Sequence, residues 1–185
     1  MSKTILCGID EAGRGPLAGP LVMAGVILKK PIDGLNDSKK LSEKKRALLF
    51  ELILTNSEYK IVRFSAKTID QIGLSACLKS GLEEILASLD ADDFLFDGNS
   101  KFGVNGLRTL IKADALIPEV SAASILAKVT RDREMEELDP LYPHYGFADH
   151  KGYGTCAHVQ AIKTHGYCDI HRKSFKLKSL QPSLF

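Results

Sequence analysis

Four acidic residues stand where apolar segments, predicted as strands, come to an end. They are Asp10, Glu11, Asp97 and Asp114. Strand ends are where open α/β sheets gather their functional sites. Carboxylates that converge there raise each other's pKa unless a cation lies between them, and such hard oxygen ligands suit Mg²⁺ or Mn²⁺ better than zinc. The alternative is that Asp10 and Asp97 are turn residues and that Glu11 is solvated.

A glycine-rich turn follows the first acidic pair. Gly13 and Gly15 flank Arg14, so the backbone can approach a ligand closely while the arginine offers a fork of donors to a phosphate. Because Asp10 and Glu11 are neighbours, both can reach one site only where the strand is ending, and the glycines permit that bend. The turn lacks both the Gly-Lys-Ser/Thr of a nucleoside triphosphate loop and the dinucleotide GxGxxG pattern. The alternative is a tight turn with an exposed arginine.

A second candidate phosphate site lies at Ser38 and Lys39, immediately before a basic helix that begins near Ser42. Serine is a favoured N-cap residue, and the N–H groups at a helix start can bind anions. A charge run of this kind is also typical of a solvated surface, so both interpretations stay open.

Length and charge limit the class of protein. The 185 residues include 25 Lys+Arg and 23 Asp+Glu, a net charge of +2, which excludes a strongly basic nucleic-acid coat and a polyacidic tail protein. We expect one domain over residues 1–185. No apolar run approaches the roughly 20 residues that span a bilayer, and the acid at position 10 disfavours a secretory signal. Since the cysteines are scattered, we expect reduced thiols and a cytoplasmic location.

The hydrophobic pattern predicts an α/β protein in which strands come first and helices then alternate with strands. The predicted strands cover 4–9, 21–28, 59–66, 94–96 and 107–112. One predicted helix begins near Ser42, and three further helices cover 75–89, 121–138 and 156–164.

The opening segment Gly8–Pro16, with Ala18–Pro20, resembles the first motif of ribonuclease HII of the bacterial type, in the type 2 ribonuclease H family. Further similar blocks follow in the family's order across nearly the whole chain: Asn36–Leu41, Asp97–Gly98, Lys112–Asp114, Ser121–Asp132, His150–Thr155 and His171–Phe175. The resemblance implies a ribonuclease H-like fold, with a five-stranded mixed sheet that starts with three antiparallel strands. Helices would flank this sheet, and a helical segment would end the chain.

The resemblance also implies a site. The catalytic and metal-binding acids would be Asp10, Glu11, Asp97 and Asp114, with Mg²⁺ or Mn²⁺ as cofactor. Three groups of residues are implied in substrate binding. Gly13, Arg14 and Gly15 would read the ribose 2′-hydroxyl, and Tyr153 would stack on the sugar at an RNA–DNA junction. Ser38 and Lys39 would hold the nucleic-acid backbone. In its helical context, Asp132 is interpreted as a structural salt-bridge partner instead of a metal ligand.

The activity implied is that of an endoribonuclease. It would cleave the RNA strand of RNA–DNA hybrids and nick DNA duplexes at embedded ribonucleotides, by two-metal-ion hydrolysis that leaves 5′-phosphate and 3′-hydroxyl ends. Two alternatives remain: another two-metal nuclease of the same fold that acts on DNA, and a non-catalytic nucleic-acid-binding module.

The C-terminal segment Gln181–Phe185 is similar to short peptides that dock on bacterial sliding clamps. Leu184 and Phe185 would fill an apolar pocket while Gln181 makes hydrogen bonds. The alternative is a terminus without a partner. We expect a monomer that does not associate with membranes.

Overall fold

The computed structural model describes residues 4–36, 38 and 41–175. This part of the chain contains five strands: β1 (Leu6–Ala12), β2 (Leu21–Leu28), β3 (Ser57–Phe64), β4 (Asp93–Asp97) and β5 (Leu107–Leu110). They form one sheet in the order β3-β2-β1-β4-β5. The pairs β1–β2 and β2–β3 are antiparallel, whereas β1–β4 and β4–β5 are parallel. The predicted mixed sheet, with three antiparallel strands first, is confirmed.

Helices cover both faces of the sheet. They are α1 (Glu43–Asn56), α2 (Ala66–Ile72), α3 (Leu74–Ser88), α4 (Pro118–Leu138), α5 (Phe147–His150) and α6 (Cys156–His165), with 3₁₀ turns at Ala113–Ala115 and Asp139–Leu141. The hydroxyl of Ser42 accepts a hydrogen bond from the N–H of Lys45, which confirms the predicted start of the first helix. The short helix α2 was not predicted, since its seven residues give too little periodicity to separate it from the preceding strand.

The sheet separates two apolar layers. On one side Ile9 and Leu21 pack with Leu82 and Ile85 of α3. On the other side α4 lies against β1 and β2 with a row of buried small residues, including Ala122 and Ala123. A Cβ atom at Gly8 would lie 2.3 Å from the backbone of α4, so only glycine permits this close approach. The tight packing brings the polar residues of α4 next to the acidic end of β1.

A third apolar cluster joins the loop after β1 to the C-terminal part of the described chain. Leu17 donates its N–H to the carbonyl oxygen of Gly152 (2.8 Å), and Gly19 donates to that of Ile170 (2.8 Å). The loop after β1 is therefore fixed by two segments that are distant in sequence. Among residues 4–36, 38 and 41–175, none of the helices combines the length and apolar content that a bilayer crossing needs.

Candidate active site

Three aspartates from three elements form a compact carboxylate group. Asp10 lies on β1, Asp97 ends β4, and Asp114 lies in the 3₁₀ turn that follows β5. One carboxylate oxygen from each lies within 4.8 Å of the others. The N–H of Ala113 lies 3.4 Å from Oδ1 of Asp97, which ties the 3₁₀ turn to β4. The structure thus brings together three of the four acids named from the sequence.

Glu11 does not join this group. The sequence predicts that the first strand ends before Asp10, but β1 continues to Ala12 and pairs Asp10 with Ala24 and Glu11 with Met23. Neighbouring side chains of a continuous strand point to opposite faces, so the expectation that the strand ends at this pair was wrong. Glu11 still lines the same cavity, where its Oε1 lies 3.3 Å from Nη1 of Arg14.

The electrostatics of the carboxylate group favour a cation. Burial raises the pKa of Asp10 well above its usual value, and the negative charges of Glu11 and Asp97 raise it further. Two hydrogen bonds oppose this rise, one from the hydroxyl of Ser124 and one from the N–H of Glu11, at 2.7 Å from Oδ1. A divalent cation among these oxygens would neutralise the repulsion. The donor set, made only of carboxylate oxygens, fits Mg²⁺ or Mn²⁺.

An open cavity of about 580 Å³ joins the acids to the predicted substrate residues. Its lining comprises Asp10, Glu11, Ala12, Gly13, Arg14, Gly15, Ser38, Asp97, Gly98, Ser124, Lys128 and Tyr153. Lys39 and Gln181–Phe185 lie outside the described residues. All the other catalytic, metal-binding and substrate-binding residues predicted from the sequence line the cavity except Asp114, which is buried in the carboxylate group.

Two polar residues of the cavity wall, Ser124 and Lys128, were not singled out from the sequence. Ser124 shares a hydrogen bond of 2.9 Å with Ser38, while Nζ of Lys128 lies 2.7 Å from Asp132. The latter contact confirms the salt-bridge role expected for Asp132. A signal was present, because Ser124, Lys128 and Asp132 are each four residues apart and so share one face of a helix.

Tyr153 presents an exposed ring to the cavity while its backbone is held from behind. The N–H of Cys168 donates to Nδ1 of His171 (2.9 Å), and Nε2 of His171 lies 3.0 Å from Nε2 of His158. Nδ1 of His158 lies 2.9 Å from the carbonyl oxygen of Tyr153. These partners assign a neutral tautomer to each ring, with His171 donating to His158 and His158 donating to Tyr153. Burial lowers the pKa of His158, and it lowers that of His171 to about 4.

The sheet order, the strand-end carboxylates and the helix against β1 define an α/β protein with a carboxylate metal site of the kind found in ribonuclease H-like enzymes. Comparison with known proteins specifies the group within this class. The family model of ribonuclease HII matches residues 7–178. The chain belongs to the ribonuclease HII family, and it is therefore a hydrolase, an endonuclease of the ribonuclease H type.

Individual relatives agree with this assignment. The chain is 62% identical to a ribonuclease HII of Sulfurovum sp. strain NBC37-1 over 181 residues, which cover 97% of this chain and 96% of that protein. Among solved structures, the ribonuclease HII of Archaeoglobus fulgidus in complex with PCNA superposes with a TM-score of 0.81 at 29% identity, covering 97% of this chain and 98% of that one. The ribonuclease H2 of Pyrococcus horikoshii OT3 gives a TM-score of 0.78 at 30% identity, over 92% and 93% of the two chains.

Proposed function

We propose that the protein cleaves the RNA strand of RNA–DNA hybrids and nicks DNA duplexes at embedded ribonucleotides, leaving 5′-phosphate and 3′-hydroxyl ends. The proposal rests on one observation. A single cavity is lined by carboxylates suited to divalent cations and, beside them, by an arginine turn and an exposed tyrosine suited to a sugar.

Asp10, Asp97 and Asp114 are the proposed ligands of Mg²⁺ or Mn²⁺, with Glu11 beside them in the cavity. Bound divalent ions would activate a water molecule and stabilise the departing 3′ oxygen of a phosphodiester. The carboxylates hold the cations in place, so no histidine is needed as a dedicated acid or base. Ser124 supports this arrangement, because its hydrogen bond favours the charged form of Asp10.

Substrate choice is assigned to the turn at Gly13–Gly15 and to Tyr153. The 2′-hydroxyl distinguishes RNA from DNA, and exposed backbone groups beside two glycines can reach it without interference from side chains. Gly15 is suited to this role, since an added Cβ there would meet no protein atom within 4 Å and would instead project into open space. Ser38 and Lys39 are proposed to hold the nucleic-acid backbone, and Lys128 adds a cation to the same wall.

The most direct test of this proposal uses a 5′-labelled DNA duplex with one ribonucleotide and its all-DNA twin, each with and without Mg²⁺ or Mn²⁺. We expect one nick, only in the ribonucleotide duplex and only with metal. Cleavage of the all-DNA twin at a similar rate would favour the alternative, a two-metal nuclease of the same fold that acts on DNA. An absence of cleavage with metal would favour a binding module.

We also propose that the segment Gln181–Phe185 docks on a bacterial sliding clamp. One relative of similar fold, from Archaeoglobus fulgidus, was solved in a complex with PCNA. The full chain and an L184A/F185A variant should be compared for binding to the bacterial clamp by fluorescence polarisation. Saturable binding by the full chain but not by the variant would support docking. If the full chain shows no saturable binding at high micromolar clamp, docking is refuted. The cytoplasmic location and the monomeric state remain predictions.

A further inference from the structure

Two arginines that the proposed function does not use are fully buried beside the cavity. Arg131 belongs to α4 and Arg172 follows α6, and neither side chain is accessible to solvent. None of the ion pairs found among the described residues includes either guanidinium. A buried charge normally requires a charged partner, because removing an ion from water costs on the order of several kcal/mol. Here backbone carbonyl oxygens take the place of that partner.

Arg131 joins the loop after β1 to the loop that carries Tyr153. Its Nε donates to the carbonyl oxygen of Pro20 (2.9 Å), and its Nη2 donates to those of Ala18 (3.1 Å) and Lys151 (2.9 Å). Its Cζ lies 5.4 Å from the ring centroid of Tyr153. This distance is within the range of a cation–π contact. One side chain thus touches both the backbone and the ring of the tyrosine loop.

Arg172 also binds the loop after β1. Its Nε donates to the carbonyl oxygen of Gly19 (3.0 Å), and its Nη2 donates to that of Pro20 (2.9 Å), which Arg131 also contacts. Its Nη1 reaches the carbonyl oxygen of Arg14 (3.3 Å), inside the turn itself. The two guanidinium groups therefore share one acceptor, and both bind the loop that contains the turn.

Stability alone does not explain this arrangement. Burial lowers the pKa of both arginines, and for Arg172, whose pKa falls to about 10, the positive charge of Arg131 contributes next. The nearby carboxylates Asp132 and Asp70 oppose this lowering, for Arg131 and Arg172 respectively, but they are smaller causes than burial. Apolar side chains of similar volume would avoid the cost of burying two like charges. What the pair provides instead is a set of six directed hydrogen bonds to two loops that border the cavity.

We propose that Arg131 and Arg172 are positioning residues for substrate recognition, which hold the turn at Gly13–Gly15 and the ring of Tyr153 at a fixed separation. The packing supports this role, since a Cβ at Gly13 would lie 2.4 Å from Nε of Arg131, so the turn rests directly on the guanidinium. This inference rests on the proposed function, in which the turn reads the ribose and Tyr153 stacks on it.

A double-mutant cycle tests the proposal. Arg131→Lys keeps a positive charge but loses the fork, so we expect kcat/KM for the single-ribonucleotide duplex to fall about tenfold. In a Tyr153→Ala background the same substitution should cost about threefold or less, because the ring, one of its two targets, is gone. Arg133→Lys is the matched control, since Arg133 also lies on α4 over an aromatic ring, that of Phe50. Equal losses from Arg131→Lys in both backgrounds would overturn the proposal.

A second measurement does not depend on cleavage. The chain contains no tryptophan, so Tyr153→Trp introduces a single fluorescent reporter. Adding Arg131→Lys should shift its emission and increase its quenching by acrylamide, whereas adding Arg133→Lys should not. If the wild-type protein fails to cleave the ribonucleotide duplex, the proposed function falls, but this fluorescence still decides the positioning role. An unshifted emission would then refute that role.

Arg172 provides a second test of the proposal if the Arg131→Lys variant does not fold. Arg172→Lys should lower kcat/KM in the wild-type background and should have less than about half that effect, as a fold-change, in a Gly15→Ala background, where the turn no longer reads the ribose. Coupling of this kind would support the positioning role. Independent, multiplicative losses would overturn it.

Discussion

Asp10 and Asp97 occupy equivalent positions on two adjacent parallel strands. The ladder between β1 and β4 pairs Ile9 with Phe96, so each aspartate is the next residue after a buried, paired apolar residue. Parallel register therefore places the two carboxylates side by side, and the 3₁₀ turn adds Asp114 from a third direction. Strand pairing therefore sets the relative position of Asp10 and Asp97, and the 3₁₀ turn sets that of Asp114.

The first prediction concerns Asp10→Asn. We expect at least a 100-fold loss of metal-dependent cleavage, equivalent to about 2.7 kcal/mol, because a metal ligand is lost while the shape is kept. The metal-free variant should nevertheless be more stable than wild type. The pKa of Asp10 is raised in the fold, so ionisation at neutral pH disfavours the folded state.

Single-turnover cleavage and thermal unfolding in EDTA measure the two effects. Asp90→Asn, which removes an exposed carboxylate, is the control and should change neither. Cleavage by Asp10→Asn at more than a tenth of the wild-type rate would remove Asp10 from the ligand set.

The second prediction separates the two glycines of the turn. Gly13 has φ +99°, and a Cβ there would lie 2.5 Å from the carbonyl oxygen of Pro20, so Gly13→Ala should destabilise the fold by about 1–3 kcal/mol. Gly15→Ala should change the free energy of unfolding by less than about 0.5 kcal/mol. It should still lower kcat/KM for the ribonucleotide duplex about tenfold, because the methyl group would project where the sugar approaches.

Urea unfolding and steady-state kinetics distinguish these outcomes. If Gly15→Ala cleaves the ribonucleotide duplex like the wild type, then the turn does not read the ribose through Gly15.

The third prediction concerns Tyr153. Tyr153→Ala should lose about 1–3 kcal/mol of transition-state stabilisation on a duplex with one embedded ribonucleotide, on the order of other aromatic stacking contacts with nucleic acid. Tyr153→Phe keeps the ring and should stay within about threefold of wild type. Rates for both variants on the same labelled duplex provide the measurement. An unchanged rate for Tyr153→Ala would contradict a stacking role at the junction.

The fourth prediction concerns acid stability. The pKa of His171 is about 4 in the fold, below the ordinary value of 6.5, and that of His158 is lowered as well, so the unfolded chain binds more protons in this range. The resulting stability is present above pH 6.5 and is lost as the pH falls towards 4. Each imidazole should contribute up to about 1.4 kcal/mol per pH unit to this loss.

Urea unfolding between pH 7.5 and 4.5 should be measured in an Asp10→Asn background, because the raised pKa of Asp10 acts in the opposite direction. His171→Gln should flatten the profile, and His144→Gln, which replaces an exposed histidine, should not. If the free energy of unfolding of the Asp10→Asn protein did not change between pH 7.5 and 4.5, the assignment of two neutral, hydrogen-bonded rings would be contradicted.

Much of the site could be predicted from local sequence signals. Asp10 and Asp97 follow short apolar runs, and the Gly13–Gly15 turn is visible in the chain itself. The orientation of Glu11 was not predictable, because the end of β1 depends on pairing with β2, a tertiary contact. The same holds for Arg131: nothing local distinguishes a buried arginine from a surface cation, and two of its three carbonyl partners, Ala18 and Pro20, lie more than one hundred residues away.

The chemical nature of the product ends tests the central claim most directly. The wild-type protein and Asp97→Asn should be incubated with a duplex that carries one ribonucleotide and Mg²⁺ or Mn²⁺, and the products analysed by end-group mapping. Attack by water, assisted by carboxylate-held metal, predicts a 3′-hydroxyl that a polymerase can extend on one fragment, a 5′-phosphate on the other, and no product from Asp97→Asn. A 2′,3′-cyclic phosphate, or equal nicking by Asp97→Asn, would contradict the proposed mechanism.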